Sequence, residues 1–214
     1  MNQRDEATFH PGGSAQERRN YFIILIIVGL LAGILFFWRL GVPPLENWDE
    51  GIHAEVSRVM YRDGAWISMS YRDVLYTAKP PLKLWLTALL FPVVRETEFA
   101  VRLWSALAGV GTALLLTHWM WRWRRKAGMA LLAASFFFLS QLAYGHAFRT
   151  GETDALLVLL ITAALYAYWR STASPRWLLL SGGLIGLAFM TKTFGGVLPL
   201  AIAGADFLVG RRWR

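Results

Sequence analysis

Long apolar blocks separated by short basic connections run through most of the chain. Four of these blocks approach the roughly 20 residues that a helix needs to cross a bilayer: 21–40, 99–121, 128–147 and 154–169. A fifth block, 177–209, is too long for one crossing and is interrupted by polar and glycine residues within 191–196, so it predicts two shorter helices. The pattern therefore predicts an all-α fold, a polytopic membrane bundle of about six transmembrane helices.

The longest polar segment, 41–98, follows the first span and is predicted to be an outer loop that contains juxtamembrane helices. Asn47 and Glu50 have the spacing of a capping box, which predicts the start of a helix that Asp63-Gly64 ends. Residues 81–94 are apolar but too short to span with confidence, and they contain prolines near both ends. This stretch predicts an interfacial helix that lies along the membrane surface.

The composition agrees with a membrane protein, since 56% of the residues are hydrophobic and 17% are charged. The charged share is below the roughly 25% of soluble domains, which argues against a soluble enzyme, a disordered chain or a fibrous protein. The net charge of +8 indicates positive-inside topology and contact with membrane lipids in a chain this apolar, and no nucleic-acid partner is expected. The absence of cysteine excludes disulfides, thiolate metal sites and a cysteine nucleophile.

The distribution of basic residues predicts the orientation of the chain. More than half of the 22 Lys and Arg residues fall in four segments that carry few acids: 1–20, 122–127, 170–176 and 210–214. Basic excess in short connections marks the cytoplasmic side, so both termini are predicted to be cytoplasmic. Residues 1–20 are expected to be a short disordered tail, and 21–214 one transmembrane module of the inner membrane.

The outer segments gather most of the acidic residues beside three cations: Lys79, Arg149 and Lys192. Ionisable groups at membrane depth are costly, and they therefore suggest a functional site on the outer face. Simpler structural roles remain open for each of these groups. They include acids in the first turn of a helix, a snorkelling lysine, a headgroup anchor, an N-cap and a loop charge.

Four short motifs stand out in these segments: Asp49-Glu50, Lys79-Pro80-Pro81-Leu82, Glu98-Phe99-Ala100-Val101-Arg102 and the stretch from Arg149 to Asp154. Together they resemble the GT-C membrane glycosyltransferases, in particular the group of protein O-mannosyltransferases and lipid A aminoarabinose transferases. The similarity runs over 21–214 and corresponds to the N-terminal part of longer enzymes. It implies transfer of a sugar from a polyprenyl-phosphate donor to a lipid, glycan or protein acceptor on the outer face, usually with inversion.

The resemblance also implies roles for the ionisable residues. Three acids are catalytic candidates: Asp49 as the general base, Asp154 as the second acid of the site, and Glu50 as the third choice. Three cations are candidates for the donor phosphate: Lys79, Arg149 and Lys192. Further candidate substrate contacts are His53, Arg58, Tyr76 and Glu152. A carboxylate can accept the proton of an attacking hydroxyl, and fixed cations stabilise a leaving lipid phosphate.

The spacing of Glu55 and Arg58 also predicts a surface ion pair on the first helix of the outer loop. Because the leaving phosphate is already well stabilised, the resemblance implies no required cofactor and no divalent metal, and the chain has no Asp-x-Asp motif.

Two alternatives remain open. A flippase or transporter of lipid-linked substrates would place acids in the middle of its spans, whereas these acids fall at the outer ends of predicted helices. An inactive truncated copy, or half of a split enzyme, would need a second chain to supply the missing helices, because the related enzymes are longer.

Overall fold

The computed structural model describes residues 14–140 and 147–209, which are mostly helical and contain one short β-hairpin. In chain order the elements are α1 (Ala15–Phe37), α2 (Asp49–Asp63), β1 (Ser70–Tyr71), β2 (Val74–Leu75), α3 (Leu82–Ala88), α4 (Phe91–Val94), α5 (Glu98–Arg124), α6 (Ala127–Leu139), α7 (Asp154–Arg170), α8 (Arg176–Phe189), α9 (Thr193–Gly196) and α10 (Leu198–Leu208). The two strands are antiparallel, with Ser70 opposite Leu75 and Tyr71 opposite Val74. The helical class is therefore confirmed, apart from this hairpin within residues 41–98.

Two of the described helices, α1 and α5, are long and apolar enough to cross a membrane. Helices α6, α7 and α8 have 13, 17 and 14 residues, so the predicted count of six spans is not confirmed. The predicted break within 177–209 is confirmed, because α8 ends at Phe189, but the segment forms three helices, α8, α9 and α10, where two were predicted. Part of the predicted third span, 141–146, and the arginines after 209 lie outside the described residues.

Helix α1 begins earlier than the apolar pattern predicts. The Ser14 hydroxyl accepts a hydrogen bond from the Glu17 backbone N–H at 3.1 Å, and the Glu17 carboxylate accepts one from the Ser14 N–H at 3.1 Å. This capping box satisfies N–H groups that have no partner within the helix. The predicted disordered tail is therefore wrong for residues 15–20, whereas residues 1–13 lie outside the described part of the chain.

Helix α2 starts without the capping box predicted from Asn47 and Glu50. Trp48 occupies the N-cap position and makes no side-chain capping hydrogen bond. The Glu50 side chain is instead buried against α5, where it bonds to Arg102. The other end of α2 agrees with the prediction, because Gly64 has φ 70°, a left-handed conformation that glycine adopts readily after a helix.

The stretch predicted as one interfacial helix forms two short helices, α3 and α4. Pro92 lies in the first turn of α4 and does not close the segment, since a proline at that position needs no partner for a backbone N–H. Helix α3 contacts α2 and α5, and α4 contacts α5. The segment that contains α3 and α4 is therefore packed onto the long helix α5.

The long helices pack through small residues. Helix α5 contacts α1, α6 and α7, and Ala106 and Ala113 are buried in this core. A Cβ atom at Gly109 would lie 2.8 Å from the Phe36 ring, so glycine allows α1 and α5 to approach closely. A separate apolar cluster packs α2 against α3: Val56, Met60, Met69, Leu84 and Ala88.

Candidate active site

A buried ion pair joins helix α2 to helix α5. The side chains of Arg102 and Glu50 are 4% and 1% exposed. Arg102 donates from Nε to Glu50 Oε1 and from Nη2 to Glu50 Oε2, both at 2.8 Å. The same guanidinium donates to the backbone carbonyls of Leu40, Pro43 and Pro44 at 3.0, 2.8 and 2.9 Å. Arg102 therefore fastens the connection between α1 and α2 onto α5.

Glu50 has both carboxylate oxygens occupied. Besides the two bonds from Arg102, it accepts hydrogen bonds from the backbone N–H groups of Gly151 at 2.6 Å and Glu46 at 2.7 Å. Burial alone raises the pKa of this carboxyl, but the hydrogen bonds from Arg102 and the two N–H groups outweigh burial and hold the pKa below its ordinary value. The catalytic role predicted for Glu50 does not fit this environment, and the residue instead positions the start of α2.

Asp49 and Lys79 meet beside the start of α2. Lys79 Nζ lies 3.2 Å from Asp49 Oδ2, and the two side chains are 22% and 50% exposed. Burial and the Asp49 charge raise the pKa of Tyr76 to about 12, so its hydroxyl keeps its proton. The fold thus brings the predicted base and the first phosphate candidate together, with a half-exposed carboxylate and a protonated phenol nearby.

A second ion pair joins helix α7 to the connection between α8 and α9. Lys192 Nζ donates to Asp154 Oδ1 at 2.8 Å. Asp154 is the first residue of α7, so its charge also interacts favourably with the positive end of that helix. The Leu82 backbone N–H donates to the Met190 carbonyl at 3.1 Å. This bond ties the start of α3, just after Lys79, to the chain just before Lys192.

Two other predicted site residues make backbone contacts. Arg149 Nη2 donates to the Trp38 carbonyl at 2.6 Å, so Arg149 holds the chain that follows α1. The Glu152 carbonyl accepts a hydrogen bond from the Ser105 hydroxyl at 3.4 Å, which links the segment before α7 to α5.

Arg58 lies in a surface ion-pair cluster on α2. Arg58 Nη1 donates to Glu55 at 3.0 Å, which confirms the predicted pair, and Arg58 Nε is 3.1 Å from Glu96. Glu96 also accepts two hydrogen bonds from Arg62, one at each carboxylate oxygen, at 2.9 and 2.7 Å. These contacts are more exposed than the Glu50–Arg102 pair, and they hold α2 to the connection between α4 and α5.

His53 and Lys83 form a buried polar layer beneath the site. The His53 ring has Nδ1 3.3 Å from the Gly151 carbonyl, while Nε2 is buried with no hydrogen-bond partner among the described residues. Burial and the neighbouring Lys83 charge lower the pKa of His53 to about 4, so the ring is neutral at pH 7. Lys83 Nζ donates to the Thr87 hydroxyl at 3.0 Å and the Val101 carbonyl at 2.8 Å. Burial lowers the pKa of Lys83 to about 8.

The sequence alone indicates no role in the site for Lys83, Arg102 or Gly151. Lys83 could have been found from the sequence, because an ionisable residue inside the apolar stretch 81–94 needs polar partners in the folded protein. Arg102 ends the motif Glu98-Phe99-Ala100-Val101-Arg102, but the identity of its partner depends on packing. The need for glycine at position 151 follows only from the folded structure, in which the side chains of Glu50 and Val101 pack against its backbone.

We expect Gly151→Ala to lower the stability of the protein by about 1–3 kcal/mol, because overpacking has no space to relax here. A Cβ at this position would overlap Val101 Cγ1 and lie 3.2 Å from Glu50 Cγ. Thermal unfolding in detergent measures the effect. Gly182→Ala is the matched control, since a Cβ at Gly182 meets nothing within 4 Å. Equal unfolding temperatures for both variants would contradict the expected clash.

Residues 78–214 match the family described as dolichyl-phosphate-mannose-protein mannosyltransferase. The chain belongs to this family. Two curated relatives, from Pectobacterium carotovorum and Pseudomonas aeruginosa, are both named undecaprenyl phosphate-alpha-4-amino-4-deoxy-L-arabinose arabinosyl transferase. The first is 34% identical over 194 residues, covering 83% of this chain and 34% of the relative. The second is 34% identical over 198 residues, covering 85% and 35%.

This mannosyltransferase-family chain spans about a third of the length of the curated relatives it matches. The fold is similar to that of ArnT from Cupriavidus metallidurans in the apo state, with a TM-score of 0.76 and 24% identity over 92% of this chain and 37% of that one. ArnT from the same organism bound to undecaprenyl phosphate gives a TM-score of 0.71 and 28% identity, covering 88% and 36%. Family membership and the apolar helices α1 and α5 identify a membrane protein.

Proposed function

We propose that this family member acts in the transfer of a sugar from a polyprenyl-phosphate donor to an acceptor at the outer face of the inner membrane. The observation that carries the proposal is the Asp49–Lys79 pair, in which a half-exposed carboxylate lies 3.2 Å from an ammonium group. The names of the curated relatives and the undecaprenyl phosphate bound to ArnT support a donor of this kind. The proposed donor is undecaprenyl phosphate-4-amino-4-deoxy-L-arabinose, and the acceptor is a lipid such as lipid A, a glycan or a protein.

The two members of the pair have complementary roles in the proposed reaction. Lys79 binds the donor phosphate, which competes with Asp49 for the ammonium group and so releases the carboxylate. Asp49 then accepts the proton of the acceptor hydroxyl as its oxygen forms a bond to the anomeric carbon. The bond from that carbon to the phosphate oxygen breaks, and the polyprenyl phosphate leaves with the electron pair near Lys79. Attack opposite the leaving group inverts the anomeric carbon.

The Asp154–Lys192 pair supplies a second set of charges beside the start of α3. We assign Asp154 to orienting Lys192, the further candidate for the donor phosphate, which donates to its carboxylate at 2.8 Å. Asp49 and Asp154 each begin a helix, at the start of α2 and α7. The transporter alternative expects acids in the middle of spans, so this placement favours transfer over transport. The proposed topology has both termini in the cytoplasm.

The proposed reaction needs no cofactor and no divalent metal, because the phosphate leaving group is stabilised by lysine. Within 14–140 and 147–209, no group of three or more His, Asp or Glu side chains is arranged to hold a metal ion. The proposal also needs no second chain for the Asp49–Lys79 pair, since both residues and their supports belong to this chain.

We expect Lys79→Met to weaken the binding of undecaprenyl phosphate in nanodiscs by roughly 10- to 100-fold, which corresponds to the loss of a charged hydrogen bond. Native mass spectrometry or a fluorescent lipid competition assay measures the change. Lys126→Met is the matched control, because this exposed lysine lies between α5 and α6, on the predicted cytoplasmic side. Equal binding by both variants would overturn the assignment of Lys79, and no binding by the wild type would overturn the proposed donor class.

A further inference from the structure

Trp48 has an unusual backbone conformation directly before the proposed base. Its φ is 74° and its ψ is −129°, although a bulky residue rarely adopts positive φ. The residue is 83% exposed, which places it among the most exposed large hydrophobic residues of the described chain. Residues held in such conformations cluster at ligand-binding sites, where surrounding contacts impose the strain.

Three hydrogen bonds hold the turn around Trp48. The Glu46 N–H donates to Glu50 Oε2 at 2.7 Å, and the Gly51 N–H donates to the Glu46 carbonyl at 3.2 Å. The Ile52 N–H donates to the Trp48 carbonyl at 2.9 Å. Because Glu50 is itself fixed by Arg102, the buried ion pair stabilises the conformation that exposes Trp48.

The position of this side chain relates it to the proposed site. Trp48 is the N-cap of α2, and the next residue, Asp49, contacts Lys79. The exposed indole therefore belongs to the residue directly before Asp49, whose carboxylate is the proposed base. Indole is the best side chain for binding a cationic group over its face, and an amino sugar offers such a group beside its apolar C–H surface.

We propose that Trp48 determines donor specificity by binding the amino-sugar ring of the donor against the face of its indole. This inference rests on the proposed function, because it assumes a polyprenyl-phosphate donor whose phosphate lies at Lys79. It assigns recognition of the sugar to Trp48 and recognition of the phosphate to Lys79. The competing role for an exposed tryptophan is an anchor in the membrane interface.

Two lipids separate these roles: undecaprenyl phosphate without a sugar, and undecaprenyl phosphate-4-amino-4-deoxy-L-arabinose. We expect Trp48→Leu in nanodiscs to weaken binding of the amino-sugar lipid by about tenfold, and to leave binding of the sugar-free lipid unchanged. Trp48→Phe should keep part of the preference for the amino-sugar lipid over the sugar-free lipid, since phenylalanine keeps an aromatic face. Equal weakening of both lipids, or no weakening of either, would overturn the assignment of Trp48.

Two further variants exclude indirect effects. Trp48→Gly fits positive φ without strain, so it should unfold at the same or a higher temperature than the wild type and still lose the preference for the amino-sugar lipid. Trp38→Leu removes another exposed tryptophan, which follows α1, and should keep that preference. Loss of the preference in Trp38→Leu would favour interface anchoring and contradict the specific role of Trp48. Failure of the wild type to bind either lipid would instead contradict the proposed function.

Discussion

Asp49→Asn is expected to reduce sugar transfer roughly 10²- to 10⁴-fold, the range that a positioned general base contributes. Asparagine preserves the size of the side chain and can still contact Lys79, but its amide cannot accept the acceptor's proton. Binding of undecaprenyl phosphate should therefore change little, because Lys79 is still present. The measurement is transfer from undecaprenyl phosphate-4-amino-4-deoxy-L-arabinose to lipid A in proteoliposomes that contain the full chain.

Asp73→Asn is the matched control for this experiment. Asp73 is an exposed acid in the same segment between α1 and α5, in the turn between β1 and β2, with φ 62°. Asparagine tolerates that left-handed conformation, so transfer should stay at the wild-type rate. Wild-type transfer by Asp49→Asn would show that Asp49 is not the base. Absence of transfer by the wild-type chain would contradict the proposed function itself.

Arg102→Met is expected to destabilise the protein by about 3–5 kcal/mol, because it leaves the Glu50 carboxylate buried without its cation. It also leaves the carbonyls of Leu40, Pro43 and Pro44 without the donor that they have in the native protein. The turn that presents Trp48 and Asp49 should lose its support in the same variant. Chemical or thermal unfolding in detergent gives the stability change.

Arg62→Met is a matched control, since Arg62 makes the same bidentate contact with the Glu96 carboxylate at an exposed position. Exposed pairs contribute little, so this variant should unfold close to the wild type. The double variant Glu50→Gln with Arg102→Met should lose less than the two single variants combined, because no uncompensated charge is then buried. Additive losses would show that the two side chains do not act as a pair.

The candidate site was only partly predictable from the sequence. Four charged residues stand out next to apolar segments, and the fold joins them into two ion pairs, Asp49 with Lys79 and Asp154 with Lys192. The sequence does not reveal which acid meets which cation, because Asp154 and Lys192 are 38 residues apart. Such pairing depends on how α7 and α8 pack together, and no local pattern records it.

Glu50 shows most clearly why local spacing did not predict the contacts of the site. Its spacing from Asn47 predicts a cap, and a cap contributes about 1 kcal/mol. A carboxylate buried at 1% exposure costs several kcal/mol unless it is paired, so the contact with Arg102, 52 residues away, prevails over the local cap. Short-range patterns identify a favourable local interaction such as a helix cap, whereas burial in the folded chain decides whether that interaction forms.

The sequence by itself determined the helical class, the apolar helices α1 and α5, the break after Phe189 and the end of α2 at Gly64. Each of these follows from the local order of apolar, polar and glycine residues, which acts within a few turns of helix. Only the tertiary structure decided that Glu50 supports the site, that Lys83 is buried beneath it and that Trp48 stands exposed beside Asp49. These outcomes depend on which groups lose contact with water when α2, α3 and α5 pack, and that is a property of the whole fold.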